Sequence, residues 1–128
     1  MIIAVDFDGT LCENRWPNIG APNKMLIQRL IELRRQGHKV ILWTMRTDKP
    51  MEIQGETRKL LFEAVDFCEQ QGLIFDSVNE PDEENAKRFG NDSRKIYADI
   101  YIDDHNVSSD FMVRFGIPYT RQVMMMEE

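Results

Sequence analysis

The sequence predicts an α/β domain with a mostly parallel central sheet, and three observations carry that reading. Short β-branched runs alternate along the chain with longer stretches at helical spacing, the pattern of repeated strand and helix units. Two of the short runs are almost continuously apolar, as strands covered on both faces of a parallel sheet must be. Glycines stand where the helical stretches stop and the chain has to turn back toward the sheet.

Taken in order, residues 2 to 6 (IIAVD) read as the first strand. Residues 22 to 36 place Leu26, Ile27, Leu30, Ile31 and Leu33 on one side, with Pro22 near the start and Gly37 just past the end, which predicts a helix. Residues 39 to 44 (KVILWT) form the second strand. Leu61, Ala64, Val65 and Cys68 then repeat at helical spacing up to Gly72, although Gly55 obscures where this helix begins. Residues 73 to 78 (LIFDSV) and 97 to 103 (YADIYID) are the third and fourth strands, the latter with Ala98, Ile100 and Ile102 on one face. A short helix is expected within residues 82 to 89, and the segment after Ser108 has no clear period. No repeat or linker divides the 128 residues, so residues 1 to 128 are expected to form one domain.

Composition narrows the partners. With 42% hydrophobic and 30% charged residues the chain has the balance of a globular protein. No apolar run approaches the ~20 residues that span a bilayer. The N-terminal apolar run is too short for a signal peptide and meets acids at once, so a cytoplasmic protein without a membrane partner is expected. The 16 basic and 22 acidic residues leave a net charge of −6 with no dense Lys/Arg stripe, which argues against nucleic-acid binding. Cys12 and Cys68 lack the spacing of a metal knuckle or redox pair, and Cys68 falls on the apolar face of its helix.

In an open parallel sheet the ligand crevice lies beyond the C-terminal ends of the strands. Here those ends are polar: Asp6-Phe7-Asp8-Gly9-Thr10 after the first strand, Thr44-Met45-Arg46 after the second, and Asp103-Asp104 after the fourth, with Lys95 just before it. Four carboxylates at one edge repel one another, so a positive group has to sit among them. Magnesium, held by a few carboxylates together with waters and a substrate phosphate, suits such a site. Lys95 adds a fixed charge, and the set suits a phosphoryl group attacked by a carboxylate.

The stretch Asp6-Phe7-Asp8-Gly9-Thr10-Leu11 resembles the first motif of the haloacid dehalogenase superfamily. Thr44 resembles the second motif, and Lys95 and Asp103-Asp104 resemble the third and fourth, in the same order along the chain. The resemblance implies a three-layer Rossmann-like domain and a magnesium-dependent phosphatase. Asp6 would be the nucleophile that becomes an aspartyl-phosphate and also a metal ligand. Asp8 would be general acid and then general base, its carbonyl completing the metal site. Asp103 would ligate the metal, with Asp104 acting through water or orienting Lys95. Thr44 would hydrogen-bond a phosphoryl oxygen, Lys95 would hold nucleophile and phosphoryl group together, and Gly9 would let backbone N–H groups point at the phosphate. Relatives that dehalogenate carbon lack the second aspartate, so Asp8 favours phosphate chemistry.

Each residue also has a plainer reading. Asp8-Gly9 alone is a turn signal, and Thr44 alone is a good strand residue. Lys87 competes with Lys95 for the lysine role. Arg46 suits a substrate contact and a structural ion pair equally. Asn79 with Glu80, and His105 with Asn106, stand where a substrate contact or an ordinary loop would serve. His38 follows a helix stop and reads as a capping or solvent-facing residue. Trp16 and Pro17 occupy the place where the family carries a small flap. The intervals from Asp8 to Thr44 and from Thr44 to Lys95 leave no room for a cap domain, so the site is expected to be open or covered by neighbouring subunits of a homo-oligomer. The substrate expected is a small phosphorylated metabolite such as a sugar phosphate. The rivals are a phosphotransferase with the same intermediate and a non-catalytic metal-dependent interaction or signalling module. A phosphorylated receiver fits poorly, because its acidic pair comes first and its phosphorylated aspartate follows the third strand, where this chain has Asn79.

Overall fold

Ten elements follow one another in the computed structural model, which describes residues 1–80 and 97–103. They are β1 (Ile2–Val5), β2 (Cys12–Arg15), β3 (Asn18–Pro22), α1 (Lys24–Arg35), β4 (Lys39–Leu42), β5 (Met51–Ile53), β6 (Glu56–Arg58), α2 (Leu60–Gln70), β7 (Ser77–Val78) and β8 (Ile100–Ile102). The short helix expected within residues 82 to 89, both candidate lysines Lys87 and Lys95, Asp104, His105, Asn106 and the segment after Ser108 lie outside the described residues.

The central sheet has the order β7-β4-β1-β8, and each described pairing in it is parallel. Strand β1 lies inside, in register with β4 from Ile2↔Lys39 to Val5↔Leu42 and with β8 from Ile3↔Ile100 to Val5↔Ile102. Its apolar run follows from that place: Ile3, Ala4 and Val5 have no exposed surface. Leu26, Ile27, Leu30 and Leu33 of α1 join Ile3, Val5, Val40 and Leu42 of the sheet and Ala64 and Cys68 of α2 in one core. Burying each large aliphatic side chain contributes about 1.5–3 kcal/mol. Among the described residues the architecture is α/β, with two helices and a parallel sheet.

Both helices end in the same way. After α1 the Gly37 N–H donates to the Arg34 carbonyl and the His38 N–H to the Leu33 carbonyl, both at 3.1 Å. After α2 the Gly72 and Leu73 N–H groups donate to the Glu69 and Cys68 carbonyls, both at 2.9 Å. This pairing requires left-handed backbone at the residue past the cap, and Gly37 and Gly72 have φ of 98° and 93°. Helix α1 starts at Lys24, because the buried Asn23 is its cap and accepts the Leu26 N–H at 3.3 Å; Pro22 belongs to β3.

The third predicted strand, residues 73 to 78, shrinks to Ser77–Val78. Leu73 is consumed as the buried contact of the α2 stop, and Asp76 replaces regular pairing at the edge. Its N–H donates to the Val40 carbonyl at 2.8 Å while its carboxylate accepts the Val40 N–H at 2.7 Å and the Arg34 guanidinium. Asp99 does the same ahead of β8, where its N–H and carboxylate pair with both backbone groups of Ile2. The second strand likewise stops at Leu42 and the fourth covers only Ile100–Ile102.

Two antiparallel hairpins extend the sequence reading. The first, β2 with β3, occupies the segment where a flap was expected, with Trp16 and Pro17 at its turn. The second, β5 with β6, turns through Gln54 and Gly55 at φ of 50° and 83°, the mirror-image geometry of a two-residue hairpin. Gly55 therefore belongs to a hairpin turn rather than to the start of α2. Arg58 joins the hairpins by donating to the Asn18 side chain at 2.9 Å and to the Pro17 carbonyl at 3.4 Å. It also forks Glu63 in the first turn of α2 at 2.6 and 3.0 Å, a hydrogen-bonded pairing that holds the Glu63 carboxyl below its ordinary range.

No helix among the described residues is long and apolar enough to cross a membrane. His38 faces the Met1 ammonium, 3.0 Å from its Nδ1. Burial first, and then the ammonium charge, hold the imidazole below its ordinary pKa of 6.5. The unfolded chain therefore takes up this proton more readily than the folded one. Stability contributed here is present above pH 6.5 and is lost as pH falls through the folded value. Urea midpoints should drop between about pH 7.5 and about pH 5.5, and His38→Gln should flatten that slope. An unchanged slope in the variant would remove His38 as its source.

Candidate active site

Strands β1, β4 and β8 deliver their C-terminal ends to one edge. The ladder runs one residue past them: the Asp6 N–H donates to the Ile102 carbonyl and the Trp43 N–H to the Val5 carbonyl, both at 2.9 Å. Asp6, Trp43, Thr44, Met45 and Asp103 accordingly line one cleft of about 270 Å³. Three residues singled out in the sequence, Asp6, Thr44 and Asp103, thus share a cavity.

The loop that carries Asp6 and Asp8 is anchored from below. Phe7, between them, is fully buried and meets Phe67 of α2 edge-on with ring centres 5.9 Å apart. Its carbonyl accepts the N–H groups of Thr10 and Leu11 at 3.1 and 2.9 Å, a turn that Gly9 permits at φ of 82°. Asn23, the cap of α1, donates to the Thr10 carbonyl at 3.0 Å and so ties the helix start to this loop. The Asp6 carboxylate accepts the Phe7 N–H at 2.8 Å.

Thr44 is positioned by Asn79, which has φ of 53°. The Asn79 side chain accepts the Thr44 N–H at 2.8 Å and donates to the Arg46 carbonyl at 3.1 Å, while the Thr44 hydroxyl accepts the Arg46 N–H at 3.2 Å. Both ends of the Asn79 amide are used to shape the Thr44–Arg46 turn, and Asn79 does not line the cleft.

Arg46 lies in the interior, with no exposed side-chain surface. Its Nε and Nη2 fork the Asp8 carboxylate at 2.9 and 2.8 Å, Nη1 donates to the Leu60 carbonyl at 3.2 Å, and Nη2 also reaches the Asn18 carbonyl at 3.1 Å. The guanidinium sits 5.0 Å from the centre of the Phe7 ring. Of the two roles its sequence position allows, this arrangement shows the ion pair. Asp8, expected among the crowded acids at the cleft, faces Arg46 instead and is not among the cleft-lining residues. The sequence gives no direct sign of that partnership, which joins residues 38 positions apart.

The thiols offer no alternative nucleophile. Burial pushes Cys12 up to about 11 and Cys68 up to about 12, so both stay protonated near neutral pH.

Magnesium binding depends on which oxygen donors converge. Among the described residues no group of three His, Cys, Asp or Glu side chains is placed to hold a metal ion. Two carboxylates, Asp6 and Asp103, do line the cleft, and magnesium needs only one or two protein carboxylates when water and a substrate phosphate complete its shell. Among the described residues, Asp6 and Asp103 are compatible with that ion and do not form an all-protein cage of the kind calcium takes.

No family model and no curated protein matches the chain. A solved structure described as that of a conserved protein coded by a locus from Bacteroides thetaiotaomicron is similar to it, with a TM-score of 0.67 and 32% identity over 100% of this chain and 92% of the other. Identity at that level along the whole chain means that this protein belongs to the family of that conserved Bacteroides thetaiotaomicron protein.

Proposed function

We propose that the protein is a magnesium-dependent phosphomonoester hydrolase of the haloacid dehalogenase type, with Asp6 as nucleophile and a three-layer Rossmann-like domain without a cap. The observation that carries this reading is the joint presence of Asp6, Thr44 and Asp103 in one cleft at the C-terminal ends of β1, β4 and β8. A carboxylate, a hydroxyl and a second carboxylate at a parallel-sheet edge are what phosphoryl transfer through an aspartyl-phosphate needs.

In this reading a carboxylate oxygen of Asp6 forms a bond to phosphorus as the bond to the leaving oxygen breaks. Asp8 gives a proton to that oxygen, then takes one from the water that cleaves the aspartyl-phosphate, releasing phosphate and restoring Asp6. The Arg46 fork takes one lone pair on each Asp8 oxygen and leaves a second on each for the proton. The Thr44 hydroxyl holds a phosphoryl oxygen, and Lys95, or its competitor Lys87, both outside the described residues, would supply the positive charge for nucleophile and phosphoryl group. Asp6, the Asp8 carbonyl, Asp103 and Asp104 would hold magnesium, whose part is to neutralise phosphoryl oxygens. The substrate class is a small phosphorylated metabolite, and the setting is the cytoplasm.

The experiment is phosphate release from p-nitrophenyl phosphate with magnesium and with a chelator. Release that needs magnesium supports the assignment. No release from this ester and from a panel of phosphorylated metabolites, or an equal rate in chelator, would overturn it.

A further inference from the structure

The cleft beside Asp6 carries surface that a phosphoryl group does not use. Among the described residues that line it, Asp6, Thr44 and Asp103 supply the polar part, while Trp43 and Met45 form an apolar wall. Trp43 is 42% exposed and Met45 95% exposed, although both stand directly beside Thr44.

The indole is placed by the sheet. Ala4 pairs with Ile41 on one side and with Tyr101 on the other, and strand alternation returns Trp43 to the face of Ile41. Because Ala4 is small, Tyr101 and Trp43 meet on that face, with ring centres 5.5 Å apart and planes at 63°. The Tyr101 hydroxyl accepts the Ala98 N–H at 3.1 Å, which fixes the ring that braces the indole. A braced indole and an adaptable thioether therefore flank the place where the phosphoryl group would sit.

From this juxtaposition we infer that the cleft takes phosphomonoesters whose alcohol portion is planar and apolar, an aromatic or aryl-alkyl group lying against Trp43 with Met45 at its rim. The inference rests on the phosphatase reading and narrows its substrate class away from sugar phosphates. The driving force is removal of the ring and the indole face from water, which grows with the apolar area covered.

The test compares naphthylethyl phosphate with glycerol phosphate in the presence of magnesium. Both esters release a primary alkoxide, so a preference reports contacts rather than leaving-group acidity. Expected is a kcat/KM higher for naphthylethyl phosphate by roughly 10- to 100-fold, mostly through KM. Trp43→Ala should shrink that ratio and Trp43→Phe should restore part of it. Met45→Glu changes a side chain almost wholly in solvent, so it probes the wall without endangering the fold, and it should lower kcat/KM for the naphthyl ester. Equal kcat/KM for the two esters, or a preference for glycerol phosphate, would overturn the inference while leaving the phosphatase reading intact. So would a preference unchanged in both Trp43→Ala and Met45→Glu. Release from neither ester, nor from p-nitrophenyl phosphate, nor from the panel of phosphorylated metabolites would overturn the inference together with the reading beneath it.

Discussion

Asp6→Asn is expected to lower magnesium-dependent phosphate release by a factor on the order of 10⁴ or more, because it removes the atom that bonds to phosphorus. The exchange is close to isosteric. The amide oxygen can still accept the Phe7 N–H that Asp6 holds at 2.8 Å, and the backbone bond from residue 6 to the Ile102 carbonyl is unaffected. The fold should therefore survive, and an unchanged far-ultraviolet circular dichroism spectrum is the control. Acid-stable trapping of phosphate on the parent protein, absent in the variant, would place the covalent bond on this side chain. A variant rate within about tenfold of the parent would mean that another group makes the attack.

The Asp8–Arg46 fork carries the second large effect, in two measurements. Asp8→Asn should slow release from an alkyl phosphate by about 10² to 10⁴, since an alkoxide leaves poorly without a proton. The loss should be much smaller for p-nitrophenyl phosphate, whose leaving oxygen is already a weak base. Equal losses for both esters would argue that Asp8 does not protonate the leaving group. Arg46→Met should destabilise the fold by about 3 kcal/mol, the lower end of the range for breaking a buried ion pair, because the Asp8 side chain keeps 17% of its surface in water. The variant also strips donors from the Leu60 and Asn18 carbonyls, so the loop of Asp8, the first hairpin and the start of α2 lose a common tie. Combining Arg46→Met with Asp8→Asn should recover part of the loss, because no unpaired carboxylate then remains. Urea denaturation reads both quantities. A single variant within about 0.5 kcal/mol of the parent would show the fork to be of little structural consequence.

Much of the scaffold was legible because burial imposes a local period on the chain. β1 and β4 sit where continuous apolar runs place them, and Leu26, Ile27, Leu30 and Leu33 form the buried stripe of α1. Gly37 and Gly72 mark the two stops, since left-handed backbone there favours a residue without a Cβ. The hairpins were harder to read. Asn14 and Arg15 of β2 and Met51, Glu52, Glu56 and Thr57 of the second hairpin are exposed, so no apolar period marks them as strands. The third strand failed in length for a related reason: the apolar Leu73 belongs to a helix stop, and apolarity alone does not separate that use from pairing in a sheet.

By itself the sequence determined which elements form the α/β scaffold and which polar residues follow its strands, because both depend on the order of apolar and polar side chains over a few neighbours. Only the tertiary structure decided who partners whom at the edge. It joined Asp6, Thr44 and Asp103 in one cleft, turned Asp8 to Arg46, set Asn79 to shape the Thr44 turn, and stood Trp43 against Tyr101. Those partners come from distant parts of the chain. Their choice follows from sheet order, register and the need of each buried charge or polar group for a counterpart, and none of these leaves a local period to read.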